Sequence, residues 1–397
     1  MSSNNCHLCG ARLFPDPILR LDGMPKAAQY FPTQDEFIKD KGMTLDVYQC
    51  ADCGLVQLNM DPVSYFKEVV TAASFSEKTK ASRLSQMKGF VDKFGLRGKK
   101  VLEIGSGKGD MLEILKEAGM TAVGLEASLR SVEIGQAAGR KIVNGYIGDM
   151  DKISGYPFDA FISLNYLEHL PKPGCIIKRI YDNTTINAVG FVTVPNLDYL
   201  LDTKCLYEFV ADHLSYFTKK TLTCTFESNG FEVLECYTIN EDNDIAAILK
   251  KRKAIDTSEH FRGVERLIKE LQHIAADYKS QNKKIAVWGA GHRTLALLAL
   301  SGLSDIEYVV DSAKFKQGRF TPVLHLNIVP PDYFKEKRVD LVIVMVPGLY
   351  PGEVLKTLTQ MNTGVDIAVL CGNKIEFMQN FIHSQPQNRT LQGVDGA

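Results

Sequence analysis

Between Ser82 and Phe94 the apolar residues Leu84, Met87, Phe90, Val91 and Phe94 recur at the spacing that gives a helix one buried stripe. Short apolar runs and helical stretches then alternate. Lys100–Ile104 reads as a strand, Met111–Ala118 as a helix, and Thr121–Leu125, Lys141–Val143 and Ala160–Leu164 as further strands. Such alternation predicts a parallel, doubly wound α/β sheet. Gly190–Val194 adds a strand that Pro195 stops. Thr218–Asn229 reads as a helix, with Leu222 and Phe226 inward and Gly230 at its end. Phe231–Tyr237 and Ile245–Leu249 complete the series. A helix over His260–Gln281 leads into a second one: strand Lys284–Trp288, helix Arg293–Leu300, then strands Ile306–Val310, Asp340–Val346 and Asp366–Leu370.

The stretch before residue 67 follows neither period. It is turn-rich, with Pro15, Pro17, Pro25, Pro32 and Pro62 and few large apolar residues. Three blocks follow: 1–66, 67–254 and 255–397, with the polar tail from about His383 expected to be disordered. A length of 397 residues suits two or three domains. The run Lys250–Lys253 reads as a solvated junction. A formal net charge of −1 offers no broad field to nucleic acid or an anionic membrane, so a small-molecule substrate is expected. No apolar run approaches the roughly 20 residues needed to span a bilayer. Met1–Cys6 lacks the features of a signal peptide. These observations predict a cytoplasmic protein, a monomer or small homo-oligomer.

Four of the nine cysteines form two pairs, Cys6-x-x-Cys9 and Cys50-x-x-Cys53, each followed by a glycine. In a reducing compartment this pattern reads as metal binding. Two knuckles can set four thiolates tetrahedrally around one Zn²⁺, and a full Cys₄ shell leaves no open position for catalysis. A redox-active Cys-x-x-Cys is the rival, and the strand–helix context it needs is absent. His7 reads as a spacer.

The strand at Val101 runs into Glu103-Ile104-Gly105-Ser106-Gly107-Lys108-Gly109. Glycines at such a turn permit positive φ and close backbone approach to a ligand. A dinucleotide site shares this pattern. Three further positions favour S-adenosylmethionine. Glu103 at the strand end can fix the methionine amino group, Glu126 after the second strand can accept both ribose hydroxyls, and Asp149-Met150 after the third can read and cover the adenine. The plainer reading makes Glu126 a helix cap and Asp149 a turn former. The continuation Asn165-Tyr-Leu-Glu168-His169-Leu-Pro171 is the fourth-strand motif widely seen in class I methyltransferases. Candidate cofactor contacts are therefore Glu103, Gly105, Ser106, Gly107, Gly109, Glu126, Asp149, Met150 and Asn165.

The order of these parts resembles the three-domain sugar C-methyltransferases that act on nucleotide-linked keto-deoxysugars. The resemblance spans nearly the whole chain: the four cysteines, Glu103–Gly109, Asn165–His169, Val194-Pro195-Asn196, Asp212-His213-Leu-Ser-Tyr216-Phe217, and, near the C-terminus, Val287–Gly291, Val310-Asp311 and Lys316–Gly318. It implies a class I methyltransferase domain between a zinc-ribbon-like module and a Rossmann-like C-terminal domain that closes the substrate cleft. It also implies a reaction, in which a base removes a proton next to the ketone and the resulting enediolate attacks the sulfonium methyl. His213 is then the candidate base, Asp212 orients it or polarises the sugar, and His169 donates to an acceptor oxygen. The chain departs from the pattern on the substrate side, with Asp212 for glutamate, Val210 for tyrosine, and no tyrosine in Val69–Ser74. Methyl transfer to oxygen or nitrogen of another small metabolite, and an RNA-modifying zinc-ribbon enzyme, are the alternatives.

Overall fold

The computed structural model describes residues 4–28, 31–68, 75–361 and 364–378. Val69–Ser74 and the tail from His383 lie outside the described residues. The chain divides into two compact units, Met1–Ala254 and Ile255–Ala397.

The first unit opens with β1 (Leu19–Met24), β2 (Met43–Gln49) and β3 (Val56–Leu58). The order is then α1 (Glu77–Phe94), β4 (Lys100–Ile104), α2 (Asp110–Glu117), β5 (Thr121–Glu126), α3 (Leu129–Ala137), β6 (Ile142–Asn144) and β7 (Phe158–Leu164). It closes with α4 (Pro173–Asp182), β8 (Thr184–Pro195), α5 (Leu197–Asp202), β9 (Ser215–Tyr216), α6 (Lys219–Glu227), β10 (Phe231–Ile239) and β11 (Asp244–Lys251). Seven strands form one sheet in the order β10-β11-β8-β7-β4-β5-β6. The run from β8 to β6 is parallel, and β11 lies antiparallel between β8 and β10. A dinucleotide fold would instead continue with a parallel strand. This is the class I methyltransferase sheet.

Strand periodicity places its core. In β7, Phe161 joins one apolar cluster while Ala160 and Ile162 join another on the opposite face, and a shift of register between Phe158 and Ala160 puts Phe158 with Phe161. Helices then cover both faces. The α1 stripe buries Met87, Phe90 and Val91, and Gly95 ends the helix at φ 65°. Thr218 caps α6 as its side chain accepts from Thr221 N at 3.2 Å. Helices α3 and α4 were missed by periodicity. In α3 the apolar residues are few and Leu129 and Ile134 stay exposed, while α4 starts at Pro173, a residue that reads as a break but suits a first turn.

Residues 1–66 are not a free-standing body. β1, β2 and β3 form a sheet whose fourth strand is β9, with Val56 opposite Tyr216. Leu58 N also donates to Leu214 O at 3.0 Å. Cys6, Leu13, Cys50 and Leu55 share a core cluster with Leu102 and Ile104 of β4. A stretch too poor in apolar residues to bury its own core is thus completed by the larger sheet.

The second unit comprises α7 (Ser258–Ser280), β12 (Ile285–Trp288), α8 (His292–Ser301), β13 (Tyr308–Val310), β14 (Ile328–Val329), β15 (Leu341–Val344), α9 (Tyr350–Gln360), β16 (Asp366–Cys371) and β17 (Lys374–Phe377). Its sheet order is β14-β13-β12-β15-β16-β17, parallel except for β17. The direction of winding reverses between β12 and β15, as in a Rossmann-like unit.

Candidate active site

The turn after β4 is built as glycine allows and other residues resist: Gly105, Gly107 and Gly109 have φ 73°, 53° and 85°. The Glu126 carboxylate braces it, accepting from Gly107 N at 2.9 Å and from Ser128 N at 2.8 Å. The N-cap of α3 is Ser128, not Glu126, and Glu126 serves the helix start only by accepting from the Ser128 amide. Glu103 is buried, and its Oε2 and the Oγ of Ser106 have no hydrogen-bond partner. Burial, then the charges of Asp110 and Glu126, hold the Glu103 carboxyl well above the usual range. An unpaired buried carboxyl beside a bare glycine turn fits a cationic amino group, which S-adenosylmethionine carries and a dinucleotide does not.

Asp149 follows β6 and is exposed, with Lys67 Nζ at 2.7 Å from its Oδ2. Lys67 also lies over the Tyr146 ring, 4.8 Å from its centroid. Met150 packs against the main core. Asn165 stands at the end of β7 with φ 45°. Its Oδ1 accepts from Thr193 at 2.5 Å and its Nδ2 donates to Asp244 at 2.9 Å, so the side chain is locked in place.

Next along the chain, β7 delivers Glu168 and His169, and the segment before β9 delivers Asp212 and His213. The imidazoles of His169 and His213 lie 4.8 Å apart, edge to face. His169 Nδ1 donates to the Asp212 carbonyl at 2.8 Å. Burial, then the neighbouring His169, pushes His213 down to about 3. Burial thus favours the neutral form of both rings.

Asp212 differs from expectation. It is buried, and its two oxygens accept from Tyr65 OH at 2.6 Å and Ala28 N at 2.7 Å. The carboxylate thus joins the N-terminal segment to the loop that carries His213. Tyr65 and Glu168 are site residues that sequence reasoning passed over. Glu168 stands inside the Leu-Glu168-His169 motif, and Tyr65 is the tyrosine nearest the Val69–Ser74 stretch where the resembled family carries tyrosines; neither is given a role by sequence alone.

The four cysteine sulfurs converge to within 4.8 Å of one another. Cys6 Sγ lies 3.6 Å from Cys53 Sγ, and Cys9 Sγ 3.5 Å from Cys50 Sγ. The knuckles are built alike. Gly10 N donates to Cys6 O and Gly54 N to Cys50 O, and the glycines have φ 75° and 77°. Leu8 N and Cys53 N point at the sulfurs of Cys6 and Cys50. His7 is not part of the cluster; its backbone N donates to Gln57 Oε1.

Residues 79–236 match a methyltransferase domain, and residues 241–366 match the C-methyltransferase C-terminal domain. The chain is an S-adenosylmethionine-dependent methyltransferase with a C-methyltransferase C-terminal domain. The enzyme is 23% identical to the C-methyltransferase NovU of Streptomyces niveus over 367 residues, which are 83% of this chain and 86% of the relative. A ubiquinone biosynthesis O-methyltransferase of Idiomarina loihiensis is 33% identical over 98 residues, 23% of this chain and 40% of that protein. Among solved structures, the magnesium protoporphyrin IX methyltransferase of Synechocystis with bound SAH aligns at TM-score 0.37 and 15% identity, over 46% of this chain and 90% of that one. No helix among the described residues is long and apolar enough to cross a membrane.

Proposed function

We propose that this methyltransferase transfers the methyl group to carbon of a nucleotide-linked keto-deoxysugar. The observation that carries the reading is the pair of half-buried imidazoles, His169 from the turn after β7 and His213 from the segment before β9, 4.8 Å apart. A neutral ring nitrogen can accept a proton from carbon next to a ketone, and a second ring nearby can donate to the ketone oxygen. The match to a C-methyltransferase C-terminal domain and the 83% coverage by a protein named C-methyltransferase support carbon as acceptor. The sugar and its nucleotide rest on the resemblance of Val194–Asn196 and Asp212–Phe217 to the substrate-side stretches of sugar C-methyltransferases.

S-adenosylmethionine, when bound, supplies an electrophilic methyl group. Glu103 and the Gly105–Gly109 turn hold its amino acid end, Glu126 its ribose, and Asp149 with Met150 its adenine. His213 removes the acceptor's α-proton and His169 stabilises the enediolate oxygen. Asp212 positions His213 through its bonds to Tyr65 and Ala28 rather than by touching the sugar. The Cys6, Cys9, Cys50 and Cys53 set holds a structural Zn²⁺.

The test is a panel of nucleotide-linked keto-sugars incubated with labelled cofactor. We expect a new carbon–methyl bond by NMR of the product, and loss of turnover in His213→Asn with cofactor affinity retained. Full activity of that variant would overturn the base. Methyl on oxygen, the reading that the O-methyltransferase relatives favour, would overturn the reaction class.

A further inference from the structure

Glu168 is buried at 1% exposure, and its Oε2 has no hydrogen-bond partner. Its carboxyl, a ring nitrogen of His169 and one of His213 all lie within 4.8 Å of one another. Because a carbonyl only accepts, the 2.8 Å contact to Asp212 O puts the hydrogen of His169 on Nδ1. In the neutral ring Nε2 is then an acceptor, and it stands 4.0 Å from Glu168 Oε1. At that distance the two groups are beyond direct hydrogen-bond reach and act on one another through charge in a site of low dielectric.

We propose that Glu168 is a third member of the histidine site, a buried acid whose ionisation, felt across no more than 4.8 Å, sets the basicity of His169 and His213. The inference rests on the reading of His213 as the base, and deepens it. The other groups facing Glu168 are Asp244 of β11 and Tyr216 of β9, and neither is cationic. Burial accordingly holds the Glu168 acid up at about 8. When Glu168 is ionised, its charge stabilises the imidazolium that forms as His213 takes the α-proton. The carbon–hydrogen bond breaks, the proton goes to the ring nitrogen, and the electron pair stays on the acceptor as the enediolate. When Glu168 is protonated, the same imidazolium would be an uncompensated buried charge. Activity should therefore rise with pH through the Glu168 ionisation.

The experiment has two arms on the full chain. The first needs no substrate. Imidazole nitrogen NMR, assigned with His169→Gln and His213→Gln, should show both rings responding to an ionisation near pH 8 that Glu168→Gln removes. Infrared difference spectra of ¹³C-glutamate-labelled Glu103→Gln protein, which lacks the other buried glutamate held above the usual range, should show a protonated carboxyl lost over the same range. Its absence would overturn the proposal even if Glu168→Gln does not fold. The second arm measures turnover on the keto-sugar that the panel identifies. Glu168→Gln should lower it about 10- to 100-fold at neutral pH and flatten its rise toward pH 8. Glu168→Asp should restore part of it. Unchanged histidine titrations or an unchanged pH profile in Glu168→Gln would overturn the proposal while leaving the methyl transfer intact. A divalent cation bound beyond the cysteine site and lost in that variant would replace the proton by a metal. If the first arm succeeds but no keto-sugar is methylated, the coupling of Glu168 to the histidines stands and the proposed reaction falls.

Discussion

Two glycine turns in this molecule share one device and differ in what they leave unpaired. After β4, Glu126 at the end of the next strand accepts from Gly107 N and Ser128 N. After β12, Asp311, just past the next strand, accepts from Ala290 N and Ala313 N, each at 2.8 Å. In both, a carboxylate replaces the hydrogen bonds that a tight turn costs the backbone. The difference lies beside it. Two residues before the first glycine stands Glu103 in one turn and Val287 in the other, and both are buried. Asp311 also carries Lys316 Nζ at 2.9 Å, which holds its carboxyl below the usual range. The second turn is closed by its own side chains. The first keeps a buried acid with an oxygen unspent, a cost in stability that a cationic ligand can repay.

The sharpest way to break this comparison is to make the first turn like the second. Glu103→Val should lower S-adenosylmethionine affinity at least about 100-fold, by removing a charge-assisted bond in a buried site, while the fold survives. Calorimetric binding measurements giving wild-type affinity would show that the two turns do not differ in the way argued. Asp311→Ala should act oppositely: about 2 to 4 kcal/mol less stability for the second unit in denaturant unfolding, from orphaned amides and an orphaned Lys316, with cofactor affinity unchanged.

A pH series sharpens it further. Glu103 has its folded acidity shifted upward, so the folded state binds its proton more tightly than the unfolded chain. Its burial therefore costs nothing below the unfolded value of about 4.3 and costs progressively more as pH rises toward the folded value. Glu103→Gln should melt higher than wild type at neutral pH, equal it in acid, and bind cofactor poorly throughout. Equal melting at neutral pH would mean that Glu103 finds a partner in solution. The smallest expected effect is that of Lys67→Ala. It releases an exposed ion pair with Asp149 worth about 0 to 1 kcal/mol, and cofactor affinity should move by less than about fivefold.

How much was legible in advance follows the range of the interactions. The β4 strand, its glycine turn and the two cysteine knuckles each close within a few residues, so spacing alone announced them. The Thr218 cap and the Gly95 and Gly230 stops are local in the same way. Tyr65 and Ala28 meet Asp212 across 147 and 184 residues, and no local pattern records such a meeting. The antiparallel placement of β11 between β8 and β10 is likewise invisible in a strand that simply reads as apolar.

By itself, then, the sequence determined where backbone must turn, which faces must be buried, and which residues could serve a sulfonium cofactor and a tetrahedral metal. These follow from side-chain size, φ preference and period. Only the tertiary structure decided that Asp212 is bonded to the N-terminal segment, that His213 is pushed far below neutrality, and that Glu168 is buried with an unpaired oxygen beside the histidine pair. Acidity and availability are properties of surroundings, and distant parts of the chain supply the surroundings.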